Sequence, residues 1–315
     1  MVLNHLVTIR REAQPSDIPD SVLLLQEKLL EKYGDAVIAV LFYGSCLHDV
    51  STSEGIIDLY VVVDNYGAIN AGRIATMVDW FVPPTVRFLQ LTNNGEEVRA
   101  KYALISRSDF ISGTSTRWFH GYFSARLAQP VAVIYTRDSD SEMLTYKALA
   151  NAVITLASRT MPMLPSSFQA DQLWIQALTL SYATELRSER LGYSEKIINR
   201  DRGYYQQVLG AAVADNLLPA EQMKTDTQVY HAEISSIRRQ WCRFNWMVRR
   251  IQGKTVSILR LLKGMYTFEG GLDYLAWKLE RHSGQKITIP DKVRRRPLLH
   301  IWGLFWQLHR QGVFR

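Results

Sequence analysis

Gly44-Ser45 closes one apolar run and Asp58 stands inside the next, and this pairing has the residue types for phosphate chemistry. A glycine lets the backbone come close to a phosphate, and a serine with neighbouring N–H groups can hold it. A carboxylate can hold a divalent metal that neutralises phosphate charge. The chemistry outlined is nucleotidyl transfer, with phosphate at Gly44 and Ser45 and a divalent metal at Asp58. Gly-Ser after a strand is by itself more often a plain turn. What shifts the reading is the acid one strand later, because a carboxylate within an apolar strand costs roughly several kcal/mol unless something compensates it. The triplet Asp58-Leu59-Tyr60 supplies only one carboxylate, where two flanking a single residue would make a stronger metal signal. Asp64 and Glu97 are candidates for a second ligand.

Strands must position these groups. Val37 to Tyr43 is short, apolar and bounded by Gly34 and Gly44, the pattern of a buried strand, and Ile56 to Val63 repeats it. Asp20 to Lys32 has helical apolar spacing. Ala68 to Phe81 reads as a helix stopped by Pro83-Pro84. Val86 to Leu91 and Val98 to Ile105 read as antiparallel strands joined at Asn93-Asn94-Gly95. Ser108 to Leu127 reads mainly as a helix and Pro130 to Tyr135 as a strand. From Thr145 the period turns helical, with helices expected over Gln172 to Arg190, Tyr204 to Val213 and Ile237 to Ile251. The expected fold is α/β: a nucleotidyltransferase-like mixed-sheet domain over 1–145, a mainly helical domain over 146–252, and a C-terminal region over 253–315 with a lid or phosphate-contact segment and an amphipathic helix.

Net charge is +7, so an anionic partner is expected: nucleotide, nucleic acid or anionic lipid. Cys46 and Cys242 form no motif, which fits a reducing compartment and argues against zinc or a disulfide framework. The N-terminus has no apolar core of signal-peptide length, and no apolar run is long enough to cross a bilayer. Ile237 to Ile251 puts apolar residues on one helical face and arginines on most of the rest. Two readings stand for it: a lipid- or nucleotide-facing basic helix, or a solvated helix packed on the body. The tail, Arg294-Arg295-Arg296 followed by PLLHIWGLFWQLHR, suits a helix lying in a membrane interface or buried against the protein or a partner subunit.

Four blocks, in order, resemble the mitochondrial phosphatidate cytidylyltransferases of the translocator-assembly-and-maintenance family, of which this looks like a bacterial relative. The first is Phe42-Tyr43-Gly44-Ser45 followed by Ile57-Asp58-Leu59. The second is Lys101-Tyr102 with Ile105-Ser106, then Gly121 through Val131 (GYFSARLAQPV), similar to the family's LYLAGRLQKPV. The third is Leu164-Pro165-Ser166-Ser167-Phe168 running into Leu180 through Arg187 (LSYATELR). The fourth is Ser257-Ile258, then Lys263-Gly264-Met265-Tyr266-Thr267. Cys46 and Ala125 replace glycines of the family pattern, Glu185 stands where an Asp is usual, and Leu259 stands at an arginine with Arg260 next to it.

The resemblance implies that CTP and phosphatidate are joined into CDP-diacylglycerol, with release of pyrophosphate. It assigns Gly44 and Ser45 to the triphosphate and Asp58 to Mg²⁺. Lys101 and Lys263 become the foremost phosphate-contacting cations, with Arg126, Arg187 and Arg260 as further clamps, and Tyr182 and Glu185 as a pocket wall. It also implies peripheral attachment to an anionic membrane: the cytoplasmic face of a bacterial inner membrane, or the matrix side in a mitochondrion. Nucleic acid is not the expected partner. Two other readings stand beside it: a nucleotidyltransferase acting on RNA or a small soluble acceptor, and a non-catalytic lipid-binding relative.

Overall fold

The computed structural model describes residues 3–47, 56–70, 72–93, 96–185, 192–223, 229–267 and 289–295, with 303 and 306. Its centre is a five-stranded sheet in the order β3-β4-β2-β1-β5, formed by β1 (Val37–Tyr43), β2 (Ile57–Val63), β3 (Thr85–Asn93), β4 (Glu96–Ser106) and β5 (Ala132–Thr136). β2 and β4 run parallel and every other neighbouring pair antiparallel, so the sheet is mixed, as expected.

Both faces of this sheet are covered, which is why β1 and β2 read as unbroken apolar runs. On one face Val40, Phe42, Leu59, Val61 and Leu104 pack with Val22, Leu25 and Leu29 of α2 (Asp20–Tyr33). On the other, Leu41, Tyr60, Val62 and Ile105 pack under a helical body. That body comprises α1 (Asn4–Glu12), α4 (Arg107–Thr114), α5 (Tyr122–Leu127), α6 (Ser139–Thr160), α7 (Ala170–Tyr182), α8 (Tyr193–Arg200) and α9 (Arg202–Ala214). Trp174 and Tyr205 are fully buried at its centre, the indole N–H donating to the Tyr205 carbonyl at 2.9 Å. The boundary expected at 145 falls within α6, and one apolar cluster runs from β1 and β2 through α6 to α9.

Four helices differ from their expected spans. α7 ends at Tyr182, short of the expected Arg190, and the chain turns at 183–185. α3 (Arg73–Phe81) begins later than Ala68, where a short 3-10 turn stands instead. The stretch 108–127 is not one helix: it breaks between α4 and α5, and Arg159 and Arg249 donate to the carbonyls of Trp118 and Phe119 in the break. α10 (Ser236–Thr267) continues well past Ile251. A small sheet of β6 (Ser167–Gln169), β8 (Val229–His231) and β7 (Glu221–Gln222) and a short α11 (Asp291–Arg295) complete the elements. The tail helix lies outside the described residues apart from Gly303 and Trp306, both helical and exposed. Among the described residues no helix is long and apolar enough to cross a membrane.

Candidate active site

Three adjacent strands set one end of the site. Tyr43 lies opposite Asp58 in the β1–β2 pairing, and Asp58 opposite Lys101 in the β2–β4 pairing. Side chains alternate along a strand. Asp58 therefore shares the face of Tyr60 and Val62, towards the helical body, and Lys101 shares the face of Ala103 and Ile105. The Lys101 Nζ is 2.9 Å from Asp58 Oδ1. Contact with that carboxylate outweighs the burial that works against the Lys101 charge, and its pKa is raised. The pair meets at one close contact, with Asp58 Oδ1 buried against the ammonium.

Gly44 makes the bend beside this pair. Its φ of +92° lies where side-chain-bearing residues are strained. A Cβ there would also stand 3.1 Å from Asp58 Oδ2. Conformation and space both require glycine, and the carboxylate sits directly against the bend.

A cavity of about 360 Å³ opens here. Gly44, Ser45, Asp58 and Lys101 line one part of it; Arg126 of α5, and Tyr182 and Glu185 at the end of α7, line another. Arg126 and Glu185 form a bidentate pair at 2.7 and 2.8 Å. Burial works against both charges, but each group stabilises the other: the Glu185 pKa is lowered and that of Arg126 raised. The Tyr122 ring lies between two guanidinium groups, with Arg126 at 3.8 Å and Arg260 at 3.9 Å from its centroid. Arg260 thus stands behind the cavity wall, its Nε donating to the Pro83 carbonyl at 2.9 Å. His120 is buried nearby; its Nδ1 accepts from the Tyr122 N–H. Burial, with Arg260 and Arg126 close by, pushes its pKa down to about 3.

Seven of the residues expected at the site therefore meet in one cavity. Lys263 does not: its Nζ is buried against Asp79 Oδ1 at 2.9 Å and donates to the Val82 carbonyl, so it latches α10 to the end of α3. Asp79 also accepts from Thr85 and Asn70, which gives this latch a complete polar setting. Arg260 is a supporting residue and does not line the cavity, and Arg187 lies outside the described residues. Neither candidate second metal ligand is at hand: Asp64 is held by Arg137 at 2.7 and 3.2 Å, and Glu97 is paired with Arg99. Among the described residues no group of three or more His, Cys, Asp or Glu is placed to hold a metal. Sequence reasoning missed the wall formed by α8, which brings Tyr193, Lys196, Ile197 and Arg200 to the cavity. The only signal was the one-turn spacing of Lys196 and Arg200, which is common on solvated helices.

Residues 80–236 match the family described as phosphatidate cytidylyltransferase, mitochondrial. Over this stretch, just under half of its length, the chain is similar to that family. The matched segment contains Lys101, Arg126, Tyr182 and Glu185, whereas Gly44, Ser45 and Asp58 precede it. Among solved structures, the chain is similar to a nucleotidyltransferase-like protein from Exiguobacterium sibiricum 255-15. The identity is 9%, coverage is 93% of this chain and 92% of that one, and the TM-score is 0.26. No curated protein matches.

Proposed function

We propose that this protein is a Mg²⁺-dependent phosphatidate cytidylyltransferase that meets its lipid at an anionic membrane surface, in a bacterium on the cytoplasmic face. One observation carries the reading. Gly44, Ser45 and Asp58, outside the matched segment, line the same cavity as Lys101, Arg126, Tyr182 and Glu185 within it.

In the reaction a phosphate oxygen of phosphatidate bonds to the α-phosphorus of CTP, and the bond to the β-phosphate oxygen breaks to release pyrophosphate. The nucleophile is already anionic near neutral pH, so no strong base is needed. The obstacle is repulsion between two polyanions, and catalysis is positioning plus charge neutralisation. Gly44 lets the backbone approach the triphosphate, with Ser45 beside it. Lys101, kept charged by Asp58, supplies a cation at the same place. Arg126 adds positive charge whose direction Glu185 sets. Lys196 and Arg200 supply cations on the α8 side, where the phosphate of the acceptor would bind.

Asp58 fits a magnesium site of the kind in which one carboxylate and the substrate's phosphates are the ligands. The bound ion would neutralise charge on the triphosphate and the leaving pyrophosphate. The decisive assay gives the purified protein labelled CTP, Mg²⁺ and phosphatidate vesicles. CDP-diacylglycerol and pyrophosphate should form in equal amounts, and absence of lipid-linked CMP would remove the proposal. The lone carboxylate at Asp58 favours a second reading, a non-catalytic lipid-binding relative. Calorimetry showing no CTP binding in Mg²⁺ would support it.

A further inference from the structure

The outer face of α10 is an exposed apolar surface that the cavity does not account for. Its inner face is fully engaged. Cys242 and the Trp246 indole donate to the Arg159 carbonyl, and Arg249 donates to that of Phe119. A Cβ on Gly253 would come within 2.5 Å of the Thr184 carbonyl, so the helix is seated hard against the end of α7. At about 3.6 residues per turn, Ile237, Trp241, Phe244, Met247, Ile251 and Ile258 fall on the opposite side. All six are exposed, Trp241 at 61% and Ile251 at 64%. The apolar residues thus form two stripes, one against the body and one facing solvent. Elsewhere, at the end of α3, the rings of Trp80 and Phe81 are also exposed and in edge contact.

Charge identifies what this stripe meets. α10 contains no Asp or Glu. Exposed Arg243, Arg250 and Lys254 form a row along one flank of the outer stripe. A long row of bulky apolar side chains bordered by cations is the pattern of a helix lying in the interface of an anionic bilayer. Packing two copies stripe to stripe would gather both cationic rows with no α10 carboxylate to pair them. Nucleic acid would engage the cations and leave Ile237, Met247, Ile251 and Ile258 wet.

We infer that the outer face of α10 docks onto an anionic lipid surface. The same helix carries Arg260, stacked on Tyr122 behind the cavity wall, so docking ties the cavity to the bilayer that holds a lipid acceptor. This inference deepens the transferase reading, but its test needs no CTP, so loss of that reading leaves it standing.

The test is co-sedimentation of the full chain with vesicles of phosphatidylcholine alone or mixed with phosphatidylglycerol. The wild type should pellet with the mixed vesicles, and added salt should weaken binding. Trp241→Glu, Phe244→Glu and Ile251→Glu together should reduce binding on the order of a hundredfold. Arg243→Gln, Arg250→Gln and Lys254→Gln together should also reduce it on the order of a hundredfold and remove most of its salt dependence. All six side chains are exposed, and unchanged melting curves would confirm intact folding. A wild type that ignores the mixed vesicles, or triple variants that bind as it does, would overturn the inference. So would concentration-dependent self-association that the glutamate variant abolishes without any vesicle binding by the wild type.

Discussion

Two acid–base pairs line the same cavity and are built differently. Arg126 and Glu185 meet through two parallel hydrogen bonds, with side chains only 21% and 16% exposed, and an aromatic ring holds the guanidinium from behind. Lys101 and Asp58 meet at a single close contact, 39% and 27% exposed. The first pair satisfies itself; the second keeps bonding capacity in reserve. A planar guanidinium matches a carboxylate at both oxygens, whereas an ammonium is a point charge that a ligand can redirect. The Arg126–Glu185 pair therefore shapes the cavity, and under the proposed function the Asp58–Lys101 pair is the one a ligand would engage.

Variants can break or sharpen this contrast. Asp58→Asn should have the largest effect, lowering the transfer rate on the order of a hundredfold or more. Its stability should change by about 1 kcal/mol, since a partly exposed ion pair held by a single contact contributes little. Initial rates and urea unfolding of one preparation would check both. Glu185→Gln should reverse the balance. It leaves the Arg126 charge without its carboxylate and should cost about 2–4 kcal/mol of stability, read from urea midpoints. Equal destabilisation by the two variants would erase the distinction.

Lys196→Gln tests the far wall of the cavity. The KM for phosphatidate should rise roughly tenfold with kcat nearly unchanged, because a contact held in both ground and transition states is lost. CTP binding by calorimetry should stay as in the wild type. A rise in the CTP dissociation constant instead would move the nucleotide to α8.

A pH-dependent effect concerns His120, buried near the tighter pair. Its folded-state pKa, about 3, lies below the ordinary value of 6.5. Between those values the unfolded chain binds a proton that the folded chain does not, so stability falls as pH drops below about 6.5 and is unaffected above it. The expected loss is about 1 kcal/mol per pH unit over that window. Urea midpoints measured across it should flatten in His120→Gln.

Legibility in the sequence followed how local the cause was. β1 and β2 were readable because burial on both faces leaves a continuous apolar run. Gly44 was readable as a bend, and Asp58 as an acid needing a partner. The break between α4 and α5 was not, because the groups that bond its carbonyls, on Arg159 and Arg249, lie far along the chain. The extent of α10 was obscured by Gly253, which reads as a helix weakener and is there because Thr184 leaves no room for a side chain. Lys263 resembled a phosphate contact until Asp79 was found beneath it.

The amino-acid sequence alone determined the mixed α/β architecture, the glycine bend, a carboxylate within an apolar strand, and the cationic character that calls for an anionic partner. Each of these follows from side-chain type and short-range periodicity. The tertiary structure decided which cations meet which acids. The parallel register of β2 and β4 set Lys101 beside Asp58, and the packing of α5 under α7 set Arg126 against Glu185. Charge is a property of a residue, but a site is made by distances between residues far apart in the chain, and only the folded backbone sets those.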